Sequence, residues 1–186
     1  PSTPKHILLY KAFGWDVPNI IHLPNLKELG GDKKLSKRFG SVFAMEFLKE
    51  GYLVEALLNF LMFLGWNPGT DKEIYSLQEF INDFDISRIQ KTDLVAFDRQ
   101  KLLWINGHYI REYSPQDLWK KILNWSKKFD IKINGYTGSN DNYMISVLTL
   151  VQERMKKLSE FNDFTDYYFS EPNIDQKLLL KYTKDT

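Results

Sequence analysis

Hydrophobic positions along this chain recur mostly at helical spacing. The most apolar stretch, residues 53–64, sets Leu53, Ala56, Leu57, Phe60, Leu61 and Leu64 on one face, and Val54, Leu58, Met62 and Phe63 cover much of the rest. That pattern predicts a helix buried nearly all round, ended by Gly65 and kept from resuming by Pro68. Just before it, residues 41–49 carry Val42, Phe43, Phe47 and Leu48 on one side, with Gly51 as the stop. Ser76-Leu77-Gln78-Glu79 reads as a capping box opening a helix to about Phe84. Asp98 is placed to cap another helix running through Trp104. Ser114 as N-cap, Pro115 at the first helical position and Asp117 in the first turn start a third, ending near Phe129. Residues 135–142 are the strongest loop signal. A long helix over 143–158 follows, with Ile145, Leu148, Val151, Met155 and Leu158 on one face. The tail beyond Pro172 is short and polar-ended. At the other end, residues 4–13 predict a helix, Gly14-Trp15-Asp16 a turn, and residues 19–23 a short buried strand on Ile20, Ile21 and Leu23, ended by Pro24.

Composition narrows the class. Hydrophobic residues make up 43% of the 186, and aromatics 15%, which is ample for a packed core. With 25 basic and 24 acidic side chains the formal charge is only +1, so any binding of nucleic acid must come from local patches. There is no cysteine, which excludes disulfides and thiolate metal sites. No signal peptide opens the chain, and its longest apolar run is too short to cross a bilayer. A cytoplasmic protein with no membrane contact is the expectation. No internal repeat is visible. The organisation falls into three regions, 1–40, 41–113 and 114–186.

Residues 33–40, Lys-Lys-Leu-Ser-Lys-Arg-Phe-Gly, carry the strongest chemical signal. Three lysines and an arginine surround one serine on a glycine-flanked loop too polar for a core. Like charges crowd at a net cost unless an anion settles among them, and a polyphosphate fits. Taken alone, a bare K-x-S-K is more often a solvated turn; the flanks change that.

On those flanks the chain resembles the class I glutamyl-tRNA synthetases. Lys34-Leu35-Ser36-Lys37-Arg38 is similar to the family's second nucleotide-binding signature, K-M/L-S-K-S/R. Thr3-Pro4-Lys5-His6-Ile7-Leu8-Leu9-Tyr10 and His22-Leu23-Pro24 resemble the run preceding that loop. Downstream, Glu50-Gly51-Tyr52-Leu53, Glu55-Ala56-Leu57-Leu58-Asn59, Leu64-Gly65-Trp66 and Leu102-Leu103-Trp104-Ile105-Asn106-Gly107-His108-Tyr109-Ile110-Arg111 are similar as well. The likeness is dense to about residue 113 and thins afterwards. It implies a mainly α protein: the tail of a Rossmann-type α/β catalytic domain bearing the basic loop, then stem-contact helices, then the first part of a helical anticodon-side bundle. The chain also begins without an initiator methionine, and the family's H-I-G-H-type motif is missing, since Leu8-Leu9 follows His6-Ile7. It is therefore expected to be a fragment, inactive in isolation.

The implied reaction activates glutamate with ATP and transfers it to tRNA(Glu). By that resemblance Lys37 meets the leaving pyrophosphate, Lys34 shapes the loop or holds the triphosphate, and Ser36 donates a hydrogen bond. Leu35 for methionine and Arg38 for serine are the departures. The backbone around Leu23 is expected near the adenine, with His22 either beside it or packed as a structural histidine. Magnesium would arrive as ATP's counter-ion, with no protein-bound metal in this segment. L-glutamate would bind through the N-terminal part the fragment lacks. Arg88 and Arg111 are the candidate tRNA-phosphate contacts, with His108 and Tyr109 in the same region. Asp166-Tyr167-Tyr168-Phe169 is expected to pack helices, and Lys120-Lys121, Lys127-Lys128 and Lys156-Lys157 to line solvated faces. A monomer is the family default. Two alternatives stay open: a non-catalytic helical module that binds RNA or protein, and the glutamyl-queuosine tRNA(Asp) synthetase paralogue, against which the long helical stretch beyond Arg111 argues.

Overall fold

A computed structural model describes residues 2–31 and 44–170. Helix α1 (Thr3–Ala12) leads through an extended segment into strand β1 (Asn25–Glu28). After α2 (Ala44–Lys49) and α3 (Val54–Gly65), a loop region holds α4 (Leu77–Asp83) and a 3-10 turn (Ile86–Arg88). Strand β2 (Leu94–Phe97) then opens α5 (Arg99–Glu112), which is followed by α6 (Pro115–Phe129), α7 (Asp141–Val151) and α8 (Glu160–Thr165), with 3-10 turns at Gln152–Arg154 and Asp166–Tyr168. The described chain is mainly helical.

The caps explain where several helices begin. The Ser76 hydroxyl accepts from Glu79 N at 3.2 Å while the Glu79 carboxylate accepts from Ser76 N at 2.9 Å, the reciprocal capping box. Asp98 accepts from Gln100 N and Lys101 N, and Ser114 accepts from Asp117 N. Helix α5 continues well beyond Trp104 because Leu102, Ile105 and Ile110 keep one face in the core.

One hydrophobic cluster runs from Phe47 in α2 through Phe60 in α3, Leu102 and Ile105 in α5, Leu118 and Ile122 in α6 and Leu148 in α7 to Phe161 in α8. Each such side chain, fully removed from water, stabilises the fold by about 1.5–3 kcal/mol before entropy is counted. Helix α1 lies outside this core and buries none of its residues.

Three expectations are corrected. The strand lies at Asn25–Glu28, after Pro24, and Ile20, Ile21 and Leu23 are exposed. Proline has no N–H for a ladder, so pairing starts beyond it: Asn25 N donates to Asp93 O at 3.0 Å, and β1 runs parallel to β2 with Asn25 opposite Leu94 and Glu28 opposite Phe97. Helix α3 is not buried all round. Ala56, Leu57, Asn59, Phe60 and Leu64 are buried, whereas Val54, Leu58 and Leu61 are exposed. Finally, α7 ends at Val151 instead of reaching Leu158, because the chain tightens into a 3-10 turn and then extends at Met155.

Candidate functional site

The segment linking α1 to β1 lays His22, Leu23 and Pro24 across the top of α3. His22 is exposed, with Nε2 3.0 Å from Thr3 Oγ1, so it is not a packed core histidine. Leu23 reaches down onto Gly65, where an added Cβ would lie 3.2 Å from its Cδ2. A larger residue here would make the Leu23 side chain shift by a few tenths of an ångström. Leu23 and Pro24 thereby form a partition. On one side is an open cleft of about 640 Å³ with a mixed lining, polar at Thr3, His22, Asn25, Gln90 and Asp93 and apolar at Ile20, Ile86 and Ile89. On the other is an apolar trough of about 720 Å³ between Leu61, Met62, Trp66, Phe80 and Phe84. This mixed cleft sets hydrogen-bonding groups beside apolar side chains, a combination suited to holding a flat heterocycle.

Strand β1 starts at this cleft, with Asn25 in its wall, and ends at Glu28. Gly31 N donates to Glu28 O at 3.0 Å, turning the chain with Gly30 at φ +78°. The cationic segment with Lys34, Ser36 and Lys37 comes next in sequence and lies outside the described residues.

Arg88 and Arg111, the two candidate phosphate contacts, are far apart in role. Arg88 Nη1 donates to Pro68 O at 2.6 Å, and its own carbonyl accepts from Asn67 N at 3.2 Å. It therefore fastens the loop that carries α4, although the residue stays exposed. Arg111 is half-buried in the last turn of α5. Its guanidinium lies over Gly107, where an added Cβ would meet Arg111 Nη1 at 3.2 Å and Lys156 Cγ at 3.3 Å. The absent side chain leaves room for the Arg111 guanidinium and the stem of Lys156. Trp104 and His108 continue the same stripe at helical spacing, with ring centroids 6.2 Å apart and Trp104 47% exposed. His108 Nε2 lies 2.9 Å from Glu112 Oε1. An exposed indole, an imidazole and a guanidinium on one stripe form a surface suited to stacking and phosphate contact. Sequence reasoning passed over Trp104 and the placement of Lys156; the period of Trp104, His108 and Arg111 on one helix was the available signal.

Other candidates serve packing. Phe169 sits against Gly135 and Tyr143, Tyr168 packs on the core, and Tyr167 is exposed. Lys120 pairs with Asp117 at 2.9 Å, and Lys121 with Glu55 at 2.8 Å. Burial pushes the Glu55 carboxyl up, but hydrogen bonds from Lys121 and Tyr113 outweigh it and hold the group below its ordinary value. Among the described residues no three metal-ligating side chains gather, and no helix is long and apolar enough to cross a membrane.

Residues 1–104 match the family model for the catalytic domain of class I tRNA synthetases (E and Q). The chain belongs to this class I tRNA synthetase family. A second family model, an anticodon binding domain, matches residues 110–186. Among class I synthetases of this type, a glutamate–tRNA ligase from Dehalococcoides mccartyi is 40% identical over 190 residues, covering 100% of this chain and 38% of the relative. One from Flavobacterium johnsoniae is 37% identical over 204 residues and is covered to 39% of its length. The crystal structure of a glutamate–tRNA synthetase from Elizabethkingia anophelis superposes with a TM-score of 0.75 at 28% identity, over 97% of this chain and 39% of that one. The chain thus spans well under half the length of the synthetases it matches. Class I tRNA synthetases use ATP, and the cleft lies within the matched catalytic portion, at the amino ends of β1 and β2.

Proposed function

We propose that this chain is part of a cytoplasmic, monomeric ligase that activates glutamate with ATP and transfers it to tRNA(Glu). The observation that carries the reading is the Lys34-Leu35-Ser36-Lys37-Arg38 segment inside a stretch matched to a class I catalytic domain. Three regions divide the work: 1–40 as the end of the nucleotide-binding domain, 41–113 as stem-contact helices, and 114–186 as the start of the anticodon-side bundle. The match of the last part to an anticodon binding domain disfavours the glutamyl-queuosine paralogue.

Displacement at the α-phosphorus drives negative charge onto the leaving pyrophosphate, and a pre-placed cation there lowers the barrier. Lys37 supplies that cation, Lys34 holds the triphosphate and Ser36 donates a hydrogen bond to it. Magnesium enters with ATP as its counter-ion. The walls of the mixed cleft, with His22 and the Leu23 backbone, receive the base. Glutamate binds to the part of the enzyme that the relatives carry beyond this chain. Arg111, joined by Lys156 and the Trp104 and His108 rings, meets tRNA phosphate and exposed bases; Arg88 adds a contact at the α4 loop.

In the full-length enzyme Lys37→Ala is expected to slow ATP–pyrophosphate exchange by about 10²–10³-fold while leaving the circular dichroism spectrum unchanged. Wild-type exchange in that variant would remove Lys37 from the mechanism. A full-length protein that neither exchanges pyrophosphate nor charges tRNA, yet binds RNA, would establish the non-catalytic module instead.

A further inference from the structure

The two family matches meet within a single helix. The first ends at residue 104 and the second starts at residue 110, yet α5 runs unbroken from Arg99 to Glu112. Side chains on both sides of this seam reach across it. Asn106 has no exposed surface; its Oδ1 accepts from Leu53 N at 2.8 Å, and its Nδ2 donates to Lys156 O. A single amide thereby ties the start of α3 to the segment after α7. Gln152, 7% exposed, donates through Nε2 to Ile110 O at 2.9 Å and Tyr113 O at 2.8 Å. Those carbonyls belong to the last turn of α5 and the residue after it, where helical acceptors lack partners. Trp125 Nε1 donates to Leu48 O at 2.9 Å, and Leu158 N donates to Gly51 O at 2.9 Å. Glu55 on α3 accepts from both Tyr113 and Lys121. Beneath these bonds the apolar cluster is continuous from Phe47 to Phe161.

A hinge needs a few terminal or loop residues that absorb a rotation, with little buried between the moving parts. This seam has the opposite character. We propose that residues 44–170 move as one rigid body, and that Asn106 and Gln152 are positioning residues fixing α6, α7 and α8 relative to α3 and α5. An apolar face tolerates sliding. A buried amide bonded on both sides does not, because displacement strands polar groups away from water. Resting on the proposed function, this means the anticodon-side helices stand at a set distance from the stem-contact helices. A tRNA engaging both then meets surfaces already aligned, which spares ordering on binding.

The absence of cysteine permits clean double labelling. Spin labels at Asp71→Cys, before α4, and Lys127→Cys, on α6, both exposed positions, report the separation of the two sides by pulsed dipolar spectroscopy. One narrow distance distribution is expected for the otherwise wild-type chain, widened by Asn106→Leu and by the milder Gln152→Met. A broad or two-peaked wild-type distribution overturns the rigid body, whatever the variants do. Unchanged distributions in variants of native helical content overturn the roles of the two amides. In the full-length enzyme the same substitutions should raise KM for tRNA by roughly tenfold and leave KM for ATP alone. A loss confined to kcat would mean the amides are merely structural. Were the wild-type enzyme unable to charge tRNA, the functional reading would fail while the distance measurement still decided the seam.

Discussion

Asn59 sits in the middle of the most apolar helix and has no exposed surface. Its Nδ2 donates to Glu73 O at 3.0 Å, and its Oδ1 accepts from Tyr75 N at 2.7 Å. The Tyr109 hydroxyl lies 2.8 Å from Tyr75 O and 3.1 Å from Asn59 Oδ1, closing the network from α5. Burial, with Glu112 and Glu55 nearby, pushes the Tyr109 phenol up to about 12, so it remains a neutral donor throughout the ordinary pH range. Asn59→Leu keeps the branched shape but strands Glu73 O and Tyr75 N. It is expected to lower the unfolding free energy by about 2–3 kcal/mol, read from urea denaturation; an unchanged midpoint would show the network to be dispensable. Neither Asn59 nor Asn106 stood out in the sequence, because the partners that give a buried amide its role come from elsewhere in the chain. Lys34, Ser36 and Lys37, which lie outside the described residues, were singled out for the converse reason: charge density and the likeness of the flanks are visible within consecutive residues.

Individual elements show the same division. The starts of α4, α5 and α6 were legible from Ser76, Asp98 and Ser114, since a cap is satisfied within its own first turn. The α4 cap carries a pH signature. Lys72, 2.7 Å away, together with the hydroxyl and backbone N–H of Ser76, draws the Glu79 carboxyl from its ordinary 4.5 down to about 2. A folded-state value below the unfolded one means that its contribution is present above pH 4.5 and lost as pH falls toward 2. Carboxyl NMR of the chain should show Glu79 titrating near that low value, and Lys72→Met should move it upward. Titration at 4.5 in the wild type would leave the capping box unformed in solution. Strand β1 was misplaced because four residues acquire an extended pairing only from a partner, and β2 lies beyond three intervening helices. The Trp104, His108 and Arg111 stripe was half-legible: the arginine was picked out, whereas the convergence with Lys156 depends on a segment that reaches Gly107 only in the folded chain.

At the scale of the molecule, the continuous core predicts cooperative behaviour across the seam in α5. Calorimetry of the chain should give one main transition for the helical body, with calorimetric and van't Hoff enthalpies in agreement. Two resolved transitions would mean that α6, α7 and α8 fold apart from α3 and α5. Helix α1, which buries no residue, contributes little to that transition.

The parallel pairing of β1 with β2 also bears on how the polypeptide is made. Asn25 finds its opposite in Leu94 and Glu28 in Phe97, so the earlier strand leaves the ribosome long before the later one. Until then its amides have only solvent to bond, and the stretch entering the cationic segment cannot settle as it emerges. A transcript cut short ahead of Phe97 would release a nascent chain with that edge bare.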